Sequence, residues 1–239
     1  MGEQHVVIAE RFCGPPDSRN GGYVCGLVAG ILGGPAEVTL QRPPPMGRPL
    51  RVRVGPEGGV ALLDRDEVVA EGIAARPEVG VPGPVTQQEA AEAARRYPAF
   101  SLHPFPTCFV CGPQRTEGDG LRIFPGPVTG RELVAAPWTP DTILAGTDGL
   151  VGAEFVWAAL DCPGAFANGF PEVRMVLGRL SAEVVRPAKA GEGCVVMGWS
   201  EGSEGRKHFA GTALFGEKGE VLALARATWI SLAPAAPSV

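Results

Sequence analysis

The chain has 239 residues, 45% of them hydrophobic and 20% charged, which is typical of a globular protein with a sizeable core. Its net charge of −5 disfavours a nucleic-acid partner, which would require a basic face. No apolar run reaches the roughly 20 residues of a membrane helix, and the N-terminal residues lack the pattern of a secretion signal. We therefore expect a cytoplasmic protein with no membrane partner, whose six cysteines are reduced thiols.

The first part of the chain predicts one buried helix followed by strands. Residues 5–12 suit a short strand, and residues 23–32 form a nearly unbroken apolar run that Gly33, Gly34 and Pro35 should end. Alternating segments separated by turn residues then predict an antiparallel meander. The predicted strands are residues 36–41, 50–54, 60–63 and 68–74. A helix followed by a meander indicates an α+β fold.

A linker rich in proline and glycine, residues 77–84, follows the meander. Thr86 and Glu89 then form a capping-box pattern, which predicts a helix that reaches about residue 96 and ends before Pro98. We expect this helix to join two halves of the molecule.

The second part of the chain repeats the order of the first. The predicted strands are residues 121–124, 131–136, 178–185, 194–200, 208–215 and 221–232, with an apolar helix at 150–160. Ala36-Glu37-Val38, with Arg42-Pro43 after it, matches Ala182-Glu183-Val184 with Arg186-Pro187 after it. Such self-similarity predicts an internal duplication.

The apolar helix of the second part carries two acidic residues, Glu154 and Asp161, on one face. Glu154 suits the first turns, where the helix dipole favours a carboxylate. Asp161 lies near the end, because Pro163 should bend or end the helix. Two interpretations of Asp161 stay open: a buried general base with a raised pKa, or an N-cap for a second short helix over residues 163–167.

Three motifs resemble those of a known family. Cys108-Phe-Val-Cys-Gly-Pro with Gly120-Leu121, the helix containing Leu160-Asp161, and Asn20-Gly21-Gly22 are similar to motifs of phenylacetyl-CoA-thioesterase-like hotdog proteins. The resemblance implies a tandem (double) hotdog, in which each repeat is a curled antiparallel sheet wrapped round a central helix. The domain boundaries would be residues 1–80 for the first repeat, 81–103 for the linker with its short helix, and 104–239 for the second repeat.

The resemblance also implies a site between the two repeats. The Gly22 amide would hold a thioester carbonyl, and Asp161 would act as base or nucleophile. Asn20, Gly21, Tyr23, Glu154 and Trp157 would bind the substrate. The position of the first helix that matches Asp161 falls near Gly30, and no carboxylate occurs between Asp17 and Glu37. We therefore expect one competent site and one vestigial site.

The implied function is that of an acyl-CoA thioesterase-like hydrolase that acts on acyl-CoA or another thioester without a cofactor, as a monomer or homodimer of double hotdogs. Asn20 stands where the family has histidine, and Pro163 interrupts the helix after the acid. A non-catalytic hotdog that binds an acyl group or acyl-CoA therefore stays open as an alternative. A hydratase is disfavoured, since it would need an Asp/His pair on a central helix.

Cys108 and Cys111 have the spacing of half a zinc site, with His103 and Cys162 as remote candidates for the other ligands. A redox pair is a second interpretation, and a structural turn is a third. Because no second paired motif is present, we prefer the turn and predict no metal.

Overall fold

The computed structural model describes residues 4–233, which build an antiparallel sheet of eleven strands and four α-helices. The strands are β1 His5–Val7, β2 Ala36–Leu40, β3 Pro49–Val54, β4 Val60–Asp64, β5 Glu67–Ala74, β6 Gly126–Pro127, β7 Val134–Trp138, β8 Met175–Val184, β9 Cys194–Glu204, β10 Lys207–Phe215 and β11 Val221–Ser231. The helices are α1 Gly21–Leu32, α2 Gln87–Ala94, α3 Ala153–Ala159 and α4 Cys162–Ala167.

Helix α1 begins and ends where the local chemistry requires. The side chain of Asn20 accepts a hydrogen bond from the Tyr23 amide at 2.9 Å, which satisfies one of the free N–H groups of the first turn. Gly33 ends the helix in the left-handed conformation, with φ of 80°. The predicted helix is confirmed, as are the four strands of the first meander. The strand expected over residues 5–12 is shorter and covers only β1.

The strand order across the sheet is β1-β3-β4-β5-β2-β8-β11-β10-β9-β7-β6. Helix α1 is followed by β2–β5, and the α3–α4 segment is followed by β8–β11. These two sets of four strands lie in the same relative order on either side of the β2–β8 pair. That pair is antiparallel, and Ala36 lies opposite Ala182, the two alanines that begin the matching Ala-Glu-Val segments. Backbone hydrogen bonds therefore join the two parts of the chain into one sheet.

Helices α1 and α3 pack directly against each other, and glycines of α1 permit the contact. A Cβ atom at Gly22 would lie 2.5 Å from the Asp161 Cβ, and one at Gly26 would lie 2.5 Å from the Glu154 Cα. Both separations are shorter than any real Cβ contact. The backbones can approach this closely only where α1 has no side chain.

The single helix expected over residues 150–160 is divided. Helix α3 ends at Ala159, with Leu160 as its C-cap, and α4 starts after Asp161, whose ψ of −80° departs from helical geometry. Pro163 has no N–H to continue the hydrogen-bond pattern, so the break lies where the sequence predicts it. Asp161 occupies the N-cap position of α4, but its side chain caps no N–H group of that helix.

Helix α2 starts with the predicted capping box. Glu89 N–H donates to the Thr86 hydroxyl, and the Glu89 carboxylate accepts from the Thr86 amide at 2.7 Å. Ala90 and Ala93 are completely buried in a cluster with residues of β7 and β9, so this helix has a core-facing side.

The strand expected over residues 121–124 is wrong. Arg122 has φ of 52°, which interrupts an extended conformation. The amides of Leu121 and Ile123 instead donate to the carbonyls of Phe109 and Val110 in the preceding turn. The strand expected over 131–136 lies slightly later, at β7. No helix within residues 4–233 is long and apolar enough to cross a membrane.

Candidate functional site

A cavity of about 560 Å³ lies beside the start of α1. Its walls come from the loop before α1, the segment after β2, the loop of residues 103–111, helix α4 and the ends of β8 and β11. Most side chains of the wall are apolar, among them Phe105, Phe166, Phe170, Met175, Leu177 and Trp229. An apolar cavity of this size suits a small organic ligand.

Asp161 lines the cavity and is 2% exposed. Its Oδ2 accepts two hydrogen bonds of 2.9 Å, one from Asn20 Nδ2 and one from the Gly22 amide. Its Oδ1 is buried and has no hydrogen-bond partner within residues 4–233. One carboxylate oxygen is therefore held in place by the start of α1, while the other makes no hydrogen bond to the described residues.

Burial raises the pKa of Asp161 to about 7. The hydrogen bonds from Gly22 and Asn20 favour the charged form and limit the rise, and a negative charge on Cys108 would add to it. A carboxyl group with a pKa near neutrality can both accept and return a proton, as a general base must.

Asn20 connects the helix start to the acid. Its Oδ1 caps α1 through the Tyr23 amide, and its Nδ2 donates to Asp161. The residue is 2% exposed and lines the cavity. An amide suits this position because it offers an acceptor to the helix and a donor to the carboxylate at once.

The other residues expected to bind substrate divide into two groups. Gly21 lines the cavity, and no acceptor for its amide lies within the part of the chain that the structure describes. Tyr23, Glu154 and Trp157 do not line it. Tyr23 stacks on Phe12 with ring centroids 4.1 Å apart, Trp157 is 2% exposed at the α1–α3 contact, and Glu154 folds back beside Gly152.

Arg19 is a cavity residue that the sequence does not single out. It is 1% exposed, and its Nη1 donates to the Glu10 carbonyl at 3.0 Å. Its Nε and Nη2 atoms have no partner among the described residues. Trp229, in β11, also lines the cavity, and its buried Nε1 lacks a partner there too. No local motif signals either residue, since each acquires its place through contacts distant in the sequence.

Cys108, Cys111 and Cys162 lie together at the cavity wall. The three sulfur atoms all lie within 4.8 Å of one another, and all three residues are buried. His103 adjoins them, with Nε2 3.3 Å from the Cys111 sulfur. Hydrogen bonding from the Cys111 and Cys162 thiols holds the pKa of Cys108 well below its ordinary value. His103 and Cys162, the remote candidate ligands from the sequence, thus lie next to the Cys108–Cys111 pair.

The reciprocal position on α1 carries no acid. Ala29 stands as far from its N-cap, Asn20, as Asp161 stands from the α3 N-cap, Gly152. Ala29 is buried at 4% exposure. The two ends of the α1–α3 pair therefore differ in chemistry.

No protein-family model matches the sequence, and a search of curated proteins gives no match. Solved structures do resemble the chain over nearly its whole length. A candidate thioesterase II from Thermobifida fusca is 14% identical with a TM-score of 0.62, and the match covers 98% of this chain and 93% of that one. A hotdog-fold protein from Alicyclobacillus acidocaldarius is 11% identical, with a TM-score of 0.62 and coverage of 97% and 94%. The tesB protein of Mycobacterium avium subsp. paratuberculosis is 14% identical, with a TM-score of 0.60 and coverage of 96% and 91%.

These similarities define the class of fold. The chain has a hotdog fold, like its structural neighbour from Alicyclobacillus acidocaldarius, and two of the neighbours carry the names thioesterase II and tesB. At identities of 11–14% the likeness is one of architecture.

Proposed function

We propose that the protein is a tandem hotdog that hydrolyses acyl-CoA or a related thioester at one composite site between its two repeats. The observation that carries this proposal is the Asp161 carboxylate. Its Oδ2 is held by residues of α1, while its Oδ1 is buried at the cavity wall with no partner within residues 4–233. Two repeats are needed to build this arrangement, since acid and donors come from different helices.

In the proposed reaction Asp161 acts as a general base. Its Oδ1 accepts a proton from a water molecule, and the water oxygen bonds to the thioester carbonyl carbon. The carbon–sulfur bond then breaks, and the proton passes to the leaving thiolate, which gives a carboxylic acid and a thiol. Base catalysis of this kind contributes about 10²–10⁴ in rate.

The carbonyl oxygen needs a donor where negative charge develops. The Gly22 amide already donates to Asp161, so its role in this proposal is to orient the acid. The Gly21 amide stands in the same first turn of α1, belongs to a cavity-lining residue and has no acceptor among the described residues. It is the better candidate for the carbonyl, since the start of a helix provides positive potential and free N–H groups.

The remaining unpartnered atoms suit the polar parts of the same substrate. Buried polar groups normally have partners, yet the Nε and Nη2 groups of Arg19, a cavity-lining residue, have none among the described residues. The pantetheine arm of CoA carries amide carbonyls that would accept from them. The aromatic side chains of α4 and its following loop, Phe166 and Phe170, would enclose the acyl group.

A panel of acyl-CoA thioesters, with release of free CoA as the readout, tests the proposal. The Asp161→Asn variant should lose about 10²–10⁴ in kcat and still bind a non-hydrolysable thioether analogue. Glu154→Gln is the matched control, because it changes an acid of the preceding helix α3 that does not line the cavity, and it should leave turnover unchanged. Full turnover by Asp161→Asn would contradict the role of the base.

A non-catalytic acyl-CoA-binding protein is the second candidate. Occupation of the Gly22 amide by Asp161 favours it, because that donor is then unavailable to a carbonyl. Saturable binding of the thioether analogue by the wild type, without turnover of any thioester in the panel, would establish this alternative.

A further inference from the structure

The three buried cysteines at the cavity wall are not used in the proposed hydrolysis. The sulfur atoms of Cys108 and Cys111 are 3.4 Å apart, and those of Cys108 and Cys162 are 3.8 Å apart. Zinc–sulfur bonds of about 2.3 Å in a tetrahedral site place sulfurs roughly 3.8 Å from each other. The Cys108–Cys162 separation equals that value, the Cys108–Cys111 separation is shorter, and all three sulfurs lie within 4.8 Å of one another, so one ion can contact all three.

The backbone of the Cys108–Cys111 turn is built to present both thiols to one point. The Gly112 amide donates to the Cys108 carbonyl at 2.9 Å, which closes the turn. A Cβ atom at Gly112 would lie 2.5 Å from both the Cys108 nitrogen and the Pro106 oxygen, so only glycine fits after the second cysteine. The third sulfur comes from the first residue of α4, far away in the sequence.

Three sulfurs distinguish a metal site from a redox pair. A disulfide uses two cysteines and would leave the third without a function at the same point. All three residues are free cysteines in the structure. Thiolates in a buried group of three repel one another unless a cation neutralises them, and zinc and other thiophilic ions prefer such ligands.

The orientation of His103 gives it a supporting role. Its Nδ1 accepts a hydrogen bond of 2.9 Å from the Phe105 amide, so the proton of the neutral ring is on Nε2. Nε2 lies 3.3 Å from the Cys111 sulfur and therefore donates to it. A donor to a ligating sulfur orients that ligand, as outer groups at metal sites commonly do.

We propose that Cys108, Cys111 and Cys162 bind one zinc ion as three thiolates, with the fourth coordination position filled from the cavity by water. All three cysteines line that cavity, so a small molecule can reach this position. The ion would cross-link the loop of residues 103–111 to the start of α4. Because Cys162 directly follows Asp161, zinc would also hold the backbone of the acid.

Metal analysis of the intact chain, purified without chelator, tests the site directly. We expect about one zinc per chain, and less than about a tenth of that in Cys162→Ser. Cys25→Ser is the matched control, since Cys25 is a buried cysteine of α1 outside the cluster of three and its replacement should leave the zinc content unchanged. Equal zinc content in Cys162→Ser and the wild type would overturn the proposal.

Cobalt(II) titration of the chelator-treated wild type keeps the test independent of any variant that fails to fold. Binding should saturate at about one equivalent and give the sulfur-to-metal charge-transfer absorption of a tetrahedral thiolate site. No saturable binding while all cysteines are reduced would overturn the proposal. His103→Phe should bind cobalt about 10–100-fold more weakly and still reach about one cobalt per chain with the same absorption maxima, whereas shifted maxima would contradict the three-thiolate assignment.

Discussion

The Gly22 amide donates a 2.9 Å hydrogen bond to Oδ2 of Asp161, across the contact between two helices that lie far apart in the sequence. This bond makes the position of the acid depend on both parts of the chain. The acid is on the break between α3 and α4, and its orienting donors are at the start of α1. Changes in the first turn of α1 should therefore affect turnover as well as folding.

Substitutions of Asn20 should affect both turnover and stability, and two variants separate these effects. Asn20→Ala removes the helix cap and the donor to Asp161, so we expect a loss of about 1 kcal/mol of unfolding free energy together with a fall in kcat of about tenfold. Asn20→Ser keeps an oxygen that can cap the helix but lacks the amide donor. It should recover most of the stability and little of the activity, as measured by urea unfolding and thioester turnover. Equal activity in Asn20→Ser and the wild type would contradict the positioning role.

The glycines of α1 should respond to alanine substitution according to where they face. Gly22→Ala and Gly26→Ala place a methyl group within 2.5 Å of the opposite chain segment and should destabilise the protein by about 1–3 kcal/mol. A Cβ atom at Gly30 would have nothing within 4 Å of it, so Gly30→Ala in the same helix should stabilise by about 0.5–1 kcal/mol. Thermal and urea unfolding measure both effects. Destabilisation by Gly30→Ala would contradict the expectation that alanine, where it meets no neighbour, stabilises this helix through its higher helix propensity.

Arg19 should contribute to binding at the expense of stability. It is buried, and two of its nitrogens have no partner among the residues described. Removing a poorly compensated buried charge often stabilises a protein. Arg19→Met should therefore leave unfolding unchanged or improve it, while the KM for acyl-CoA rises about tenfold through loss of a charged hydrogen bond. Arg11→Met, from the same loop but outside the cavity wall, should leave KM unchanged.

The ion pair of Arg186 with Glu192 should make stability depend on pH. The Glu192 carboxylate is 11% exposed and lies 2.6 Å from the Arg186 guanidinium. Burial opposes its charge, but hydrogen bonds from Arg186 and from the Lys189 amide outweigh burial and lower the pKa of Glu192. A lowered pKa in the folded state means that the stabilisation is present above the ordinary glutamate pKa and is lost as the pH falls through the folded value.

Glu192→Gln should thus lower the free energy of unfolding by on the order of 1 kcal/mol at pH 7. The difference in unfolding free energy between the variant and the wild type should become smaller at acidic pH. Urea unfolding across the pH range measures it. Glu172→Gln, at an exposed position before β8, should show no such difference. A cost that stays constant down to acidic pH would mean that the ion pair is not its source.

Much of the fold could be predicted because its signals are local. Asn20 and Gly33 mark the limits of α1, Thr86 and Glu89 mark the start of α2, and Pro163 marks the break after α3. The failure at residues 121–124 has the opposite cause. Apolar Leu121 and Ile123 alternate with Arg122, as in a strand, but Arg122 takes a positive φ and the segment pairs with a turn, which no local pattern predicts.

The site was predictable only in part. Asp161 is detectable as a carboxyl group in apolar surroundings, and Asn20 and Gly21 as the start of a buried helix. The side chains of Tyr23 and Trp157 make packing contacts and do not face the cavity. Which face of each helix meets the cavity depends on how α1 is rotated against α3, and the close contacts at Gly22 and Gly26 determine that rotation. The grouping of Cys162 with Cys108 depends on tertiary contacts in the same way.

The pairing of Ala36 with Ala182 has an evolutionary consequence. When a hotdog dimer forms from two identical polypeptides, each mutation is made twice, and both ends of the helix pair must change together. Here one polypeptide supplies both strands of the junction. A mutation at Ala29 therefore does not impose one at Asp161, and each end of the helix pair can change without the other.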